Sequence, residues 1–447
     1  MLMVEKEAMT LNYVSDWGSL PNDLLDSILD HLVPISDCIR FSAVCTHWRS
    51  VASANFRRPN HLHHQQLPFL MVPKDDSKER RFLYRVINRK RLGEFELRLP
   101  RNVTYCGSSR GWLIIIDDAF EVSLFNPFSR KIIPLPPLKR LAFEKRLLKE
   151  YKRREITHEK LLKNKGRRES ENERSKRPSK SYYSMLKVED MEGQEKESES
   201  ENKNPYYPIS YGELSRSPDT NPDEYVLMVL YGMIGRLAFI KSGDKKWTYI
   251  DKKNCDFEYD DNEGLHYFSD IVYSKGLFFA INPEGETLSI DVRSGLIVKK
   301  LTPRDTRQPL NCRRRTYLME SPGEGKEHLL RVIRRLDKDD ITKEFKIYKL
   351  VDCGGNCEWT EVESLGDVTL FLGDNHSISV LASTSVGCKP NSIYFYDDFF
   401  NYYNFYGGPF HFFVFNLENR RIAKYPILDN MQSWLMPLPI WIVPTFI

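Results

Sequence analysis

At 447 residues, 41% hydrophobic and 12% aromatic, the chain is long and apolar enough for one large domain with a small one, or for two to three ordinary ones, which excludes disorder of the whole chain. Its 66 basic and 62 acidic residues leave a net charge of +4, so no global field holds it on nucleic acid or anionic lipid. Of the eight cysteines only Cys353 and Cys357 lie close enough to suggest a pair; a chain this long needs no disulfide staples, and a reducing compartment, cytoplasmic or nuclear, is expected.

The first residues, "MLMVEKEAMTLNYV", have no apolar run of signal-peptide length, so secretion is not expected. Residues 15–55 carry a helical pattern. In "SLPNDLLDSILDHLV" the apolar residues Leu24, Leu25, Ile28, Leu29 and Leu32 fall at i, i+1, i+4, i+5 and i+8, one stripe along a helix. Ser19 is expected to cap it, Pro21 suits its first turn, Asp23 complements its dipole and Pro34 stops it. A second helix is expected from Ser36, and a short third one after Thr46 carries Trp48 and Val51. A segment of about 40 residues cannot bury so many apolar side chains by itself. Either the rest of the chain covers part of that stripe or another protein does, because each large aliphatic removed from water contributes about 1.5 to 3 kcal/mol.

The histidines of "HLHHQQ" (His61, His63, His64) have no carboxylate or cysteine at ligand spacing and read as an exposed linker. From residue 67 onward the pattern changes to short apolar or alternating runs between turn residues. Runs at 81–87, 95–100, 111–117, 122–127, 225–232, 236–241, 270–282, 287–292, 328–335, 345–351, 392–398 and 411–417 predict an all-β architecture. A degenerate repeat lies within it: "SSRGWLIIIDDAFEVSLFNPFSRKIIPLP" and "VYSKGLFFAINPEGETLSIDVRSGLIVKKL" align Gly111 with Gly276, Phe125 with Ile290, and Arg130 with Ser294-Gly295. Five or six units of about 40 residues suit a propeller of about six blades; a large β-sandwich is the alternative.

Residues 139–203 interrupt the repeat, first basic and then acidic, and are expected to be a disordered insertion on a propeller loop. The sequence carries no assembled catalytic set. "SPGEGKEH" (321–328) lacks the phosphate-loop spacing and the Ser/Thr after Lys326. "CGGNC" has no second thiol pair for zinc and reads as a turn, as do the acidic pairs Asp117-Asp118, Asp260-Asp261 and Asp397-Asp398. No nucleophile elbow or dinucleotide glycine loop appears. The C-terminal "SWLMPLPIWIVPTFI" is apolar but short and broken by Pro437, Pro439 and Pro444, so it is expected to be a buried terminal strand or strap and not a membrane span.

The order Leu20-Pro21, Leu24-Leu25, Ile28-Leu29, Leu32, Asp37, Arg40, Val44-Cys45 and Trp48-Arg49 resembles an F-box, the helical module by which substrate receptors dock on the Skp adaptor of a cullin-RING ubiquitin ligase. The segments "GWLIII...LFNPFSRKIIPLP", "FSDIVYSKGLFFAINPEGETLSIDV" and "LGDVTLFLGDNHSISVLAS...KPNSIYFYDD" resemble plant F-box proteins with a KIB-type β-propeller, once classed as a domain of unknown function. That likeness spans most of residues 69–427 outside the insertion.

The resemblance implies a small all-α F-box hairpin (15–55) followed by a propeller (67–138 and 204–447) interrupted by the charged insertion (139–203). It implies that Leu20, Pro21, Leu24, Leu25, Ile28, Leu29, Val44 and Trp48 form the adaptor-facing surface or the packing that shapes it. Propeller loops would hold a substrate protein for an SCF-type (Skp-cullin-F-box) ligase, with no catalytic residue, cofactor or metal in this chain. Membrane and nucleic acid are not expected partners. Two rival readings remain: an enzyme whose site is assembled from propeller loops, and a propeller adaptor or inhibitor without ligase coupling.

Overall fold

The computed structural model describes residues 17–56 apart from 33–34 and, between residues 68 and 443, the strands and most of their turns. Residues 57–67, 139–208, 251–267, 304–313, 397–410 and 427–438 lie outside the described residues, as do both termini and several short turns. The expected disordered insertion, the histidine linker, Cys353, Lys326, Asp118 and the pairs at 260–261 and 397–398 therefore fall outside them too. The chain divides into two compact units, with the boundary between His64 and Gln65.

The first unit is helical. A 3-10 turn (Trp17–Ser19) precedes α1 (Asn22–His31), α2 (Ile35–Ser42) and α3 (Thr46–Phe56). Ser19 does not cap α1. It sits in the 3-10 turn, while Pro21, fixed in an extended conformation (φ −57°, ψ 150°), takes the capping position and offers only its carbonyl, to Leu25 N at 3.1 Å.

The second unit is a six-bladed propeller. Blade 1 holds β1 (Phe69–Pro73), β2 (Arg80–Ile87) and β3 (Lys90–Arg98); blade 2 holds β4 (Val103–Ser109), β5 (Trp112–Asp117), β6 (Val122–Phe125) and β7 (Ile132–Pro134). Blade 3 comprises β8 (Ile209–Leu214), β9 (Val226–Tyr231), β10 (Arg236–Lys241) and β11 (Thr248–Tyr249), and blade 4 β12 (Asp270–Ser274), β13 (Leu277–Ile281), β14 (Thr287–Asp291) and β15 (Ile297–Thr302). Blade 5 comprises β16 (Arg314–Ser321), β17 (His328–Leu336), β18 (Thr342–Asp352) and β19 (Cys357–Val362). Blade 6 has five strands: β20 (Val368–Leu372), β21 (Ile378–Leu381), β22 (Ser392–Tyr396), β23 (His411–Asn416) and β24 (Arg421–Pro426), in the order β21-β20-β22-β23-β24. The last strand, β25 (Ile440–Ile442), returns to blade 1 and pairs with β1 through Leu70↔Trp441. The apolar C-terminal run thus supplies a buried strand, as its prolines and length suggest.

Why so many strands read as continuous apolar runs follows from this stacking. Each blade is covered on both faces, so successive side chains of one strand enter different cores. In β9, Leu227, Val229 and Tyr231 pack with Trp112, Ile114 and Leu124 of blade 2, whereas Val226, Met228 and Leu230 pack with Ile271, Phe278 and Ile290 of blade 4. Likewise Leu370 enters the core shared with Val332 and Phe345 of blade 5, and its neighbour Phe371 the one shared with Leu70 and Trp441 of blade 1.

The repeat read from the sequence is a repeat of structure. Leu113 pairs with Phe125 in blade 2 and Phe278 with Ile290 in blade 4. Arg110-Gly111 and Lys275-Gly276 form equivalent turns in which both residues have positive φ (49° and 79°; 48° and 87°), the two-residue geometry whose twist suits a hairpin. The run at 270–282, met as one stretch, is thereby folded back on itself.

Candidate functional site

Two regions are candidates for a functional surface, and each builds up from a small core. In the helical unit, Leu25, Leu29, Phe41, Val51 and Ala52 are buried together, and Leu20, Ile28, Leu32 and Trp48 pack partly buried against them. Trp48 packs tilted against Phe41 with ring centres 4.4 Å apart, and its indole Nε1 donates to Trp17 O at 2.9 Å, tying α3 to the segment before α1.

The apolar stripe therefore splits. Leu25 and Leu29 face inward, Leu20, Ile28 and Trp48 are half-buried, Pro21 is exposed, and Leu24 and Val44 remain 50% and 53% exposed. Trp17, which the motif reading passed over, is 62% exposed. Its signal was available: a large aromatic four residues before Pro21 in a stretch with no apolar neighbour on either side to bury it.

In the propeller, polar side chains from the innermost strands link neighbouring blades. Ser108 of β4 donates to Trp441 O at 2.5 Å, Ser109 to Glu213 Oε2 of β8 at 2.9 Å, and Leu318 N of β16 to Asp270 Oδ2 of β12 at 2.8 Å. Ser274 donates to the Glu320 carboxylate, Ser379 to the Glu320 carbonyl, and Trp441 Nε1 to Leu372 O at 2.9 Å, so links run through blades 1, 2, 3, and 4, 5, 6, 1. Asp117, one of the acidic turn residues, only accepts the backbone N–H groups of Ala119 and Glu121 within its own turn.

Glu213 and Asp270 are both buried carboxyls, 6% and 7% exposed. Burial pushes Glu213 up to about 7, opposed by the Arg110 charge and the hydrogen bonds of Ser109 and Tyr211. Burial pushes Asp270 up to about 8, with Glu213 repulsion adding and the N–H groups of Leu318 and Ile271 opposing. A carboxyl whose proton is held more tightly in the folded state stabilises most at low pH, and that contribution is lost as pH rises from the unfolded carboxylate range to the folded value. The melting temperature of the propeller is thus expected to fall between pH 5 and pH 8 and then level, the window those folded values set. Glu213→Gln keeps an acceptor for Ser109 and should flatten the slope; an unchanged slope in a calorimetric pH series would remove Glu213 as its source.

Comparison with known proteins places these surfaces in context. Residues 83–416 match the family model described as KIB1-4 beta-propeller, and residues 17–60 match the one described as F-box-like. The Arabidopsis thaliana F-box protein At5g55150 is 26% identical over 439 residues, covering 96% of this chain and 98% of its own length. F-box protein At2g17036 of the same plant is 27% identical, covering 83% and 80%, and F-box protein SKIP23 is 26% identical, covering 86% and 85%. Both halves of the resemblance read from the residues are matched.

Proposed function

Because the chain belongs to the KIB1-4 β-propeller family and carries an F-box-like domain ahead of that propeller, we propose that it is the substrate-recognition subunit of an SCF-type E3 ubiquitin ligase. Its helical unit docks a Skp-type adaptor, and its propeller holds the target protein. The observation that carries this is the split stripe: a small unit with its own core nonetheless leaves Leu24 and Val44 half in water. In this reading Leu24, Val44 and Pro21 meet the adaptor, while Leu20, Leu25, Ile28, Leu29 and Trp48 hold them in place.

The mechanism is proximity. A target tethered on the propeller presents its lysines to a ubiquitin-charged enzyme at high effective concentration, and the receptor contributes binding energy and orientation, not bond chemistry. F-box proteins are typically non-catalytic adaptors, and neither matching family is a catalytic one. Among the described residues no helix is long and apolar enough to cross a membrane.

The test is assembly from purified parts. The full chain mixed with a plant Skp adaptor should elute as a complex that then takes up a cullin; a chain that elutes alone overturns the proposal. A complex that binds targets but leaves their lifetime in plant extract unchanged would favour the adaptor or inhibitor without ligase coupling.

A further inference from the structure

Two exposed arginines from different blades each approach the same aromatic ring. Arg110 leads the β4–β5 turn of blade 2 and Arg293 lies in the β14–β15 turn of blade 4, and each guanidinium carbon stands 5.9 Å from the centre of the Tyr273 ring on β12. Arg110 Nε donates to Leu214 O of blade 3 at 2.8 Å, which fixes the guanidinium plane across the turn. Its backbone is left-handed (φ 49°), a conformation that glycine adopts at lower cost.

The carboxylates nearby are already engaged. Glu213 lies buried beneath and takes hydrogen bonds from Ser109 and Tyr211, while Asp291 accepts the backbone N–H groups of Arg293 and Ser294. From blade 6, His376 holds a buried Nδ1 and Ser377 a buried Oγ, neither with a hydrogen-bond partner among the described residues, and the Arg110 charge reaches His376, whose pKa burial and that charge together lower to about 4. Asp291 in the same turn feels the Arg293 charge, but among the described residues neither guanidinium hydrogen-bonds to a carboxylate.

We infer that this convergence recognises an acidic segment of the target protein, with a Glu or Asp side chain held by Arg110 and Arg293 and its stem laid on Tyr273. Planar guanidinium forks match a carboxylate with two parallel hydrogen bonds, which a point charge cannot do. The inference rests on the reading of the propeller as the target-binding unit. A nucleic acid fits less well: it needs an extended basic track, and the exposed turns of blade 3 present Asp223, Asp244 and the Arg216–Glu224 pair instead.

The experiment immobilises the full chain and offers three heptapeptide pools, randomised except for a central Glu, Gln or Lys triplet, at low and high salt. The Glu pool should be retained at least about tenfold over the Gln pool at low salt, and less at high salt. Arg110→Gln with Arg293→Gln should abolish that preference, as should Arg110→Gly with Arg293→Gln, where glycine suits the turn and guards against misfolding. Lys245→Gln with Lys246→Gln should leave it intact. Equal retention of the pools, an unchanged preference in both arginine variants, or tighter retention of poly-uridylate than of the Glu pool would overturn the inference. Adaptor binding is followed on the same preparations: its loss in the wild-type chain would strike the ligase reading, and its persistence without any acidic preference would strike this one alone.

Discussion

Arginine at both Leu24 and Val44 is expected to weaken binding to a Skp-type adaptor by at least about a hundredfold while leaving the helix content and melting of the protein unchanged. Each side chain is about half exposed in the free unit, so each has apolar surface to lose on docking and no core to disturb when replaced. Removing the two contacts and forcing a charge against the partner costs about 3 to 5 kcal/mol together. Leu29 makes a poor probe of the same surface. It is 2% exposed, so Leu29→Ala opens a cavity and costs about 2 to 5 kcal/mol of the unit's own stability. Binding would fall there as well, but circular dichroism would show the helices melting. Titration calorimetry against the adaptor separates the cases, and a double arginine variant that binds like wild type sinks the docking surface.

Trp441→Ala is expected to be among the most destabilising single changes in the propeller, about 3 to 5 kcal/mol by the usual cost of truncating a buried aromatic. Its side chain is fully buried, packs edge-on at 5.0 Å against Phe371 of blade 6, and donates to Leu372 O at 2.9 Å. Its carbonyl in turn accepts from Ser108 of blade 2. One residue on β25 therefore joins the blade it completes to both neighbours. Ile422→Ala offers the contrast: on the outer strand β24, with 37% of its surface in water, it should cost under about 1 kcal/mol. Similar thermal and chemical denaturation of the two variants would show that the junction does not limit stability.

Much of this architecture was legible because its middle strands carry long side chains at turn-bounded spacing, as in "WLIII" and "VLMVLY". The innermost strands of blades 2 and 3 were not. β4 reads "VTYCGSS" and β8 "ISYGEL", where glycine, serine and glutamate replace the apolar run. Those residues suit crowded strands whose polar side chains bridge to the next blade: a Cβ at Gly212 would stand 2.4 Å from Ile114 Cδ1. Ring closure was hidden for a different reason. Nothing local to "PIWIV" states that Trp441 pairs with Leu70 at the other end of the propeller. In the helical unit the stripe itself was legible, but a stripe broad enough to include Leu24, Leu25, Ile28 and Leu29 does not say which edge faces the partner. The arginine pair over Tyr273 lay beyond reach, since only the blade geometry brings residues 110, 273 and 293 together.

The return of β25 to blade 1 also gives the protein a clock. A ribosome adding about 5 to 20 residues per second needs about 20 to 70 seconds to travel the roughly 370 residues from β1 to its partner. Throughout that interval β1 offers an unpaired edge that neighbouring nascent chains can join. Closure can begin only once β25 has been synthesised. A chain that stops short of β25 would therefore have five finished blades, one open edge and a strong claim on chaperones.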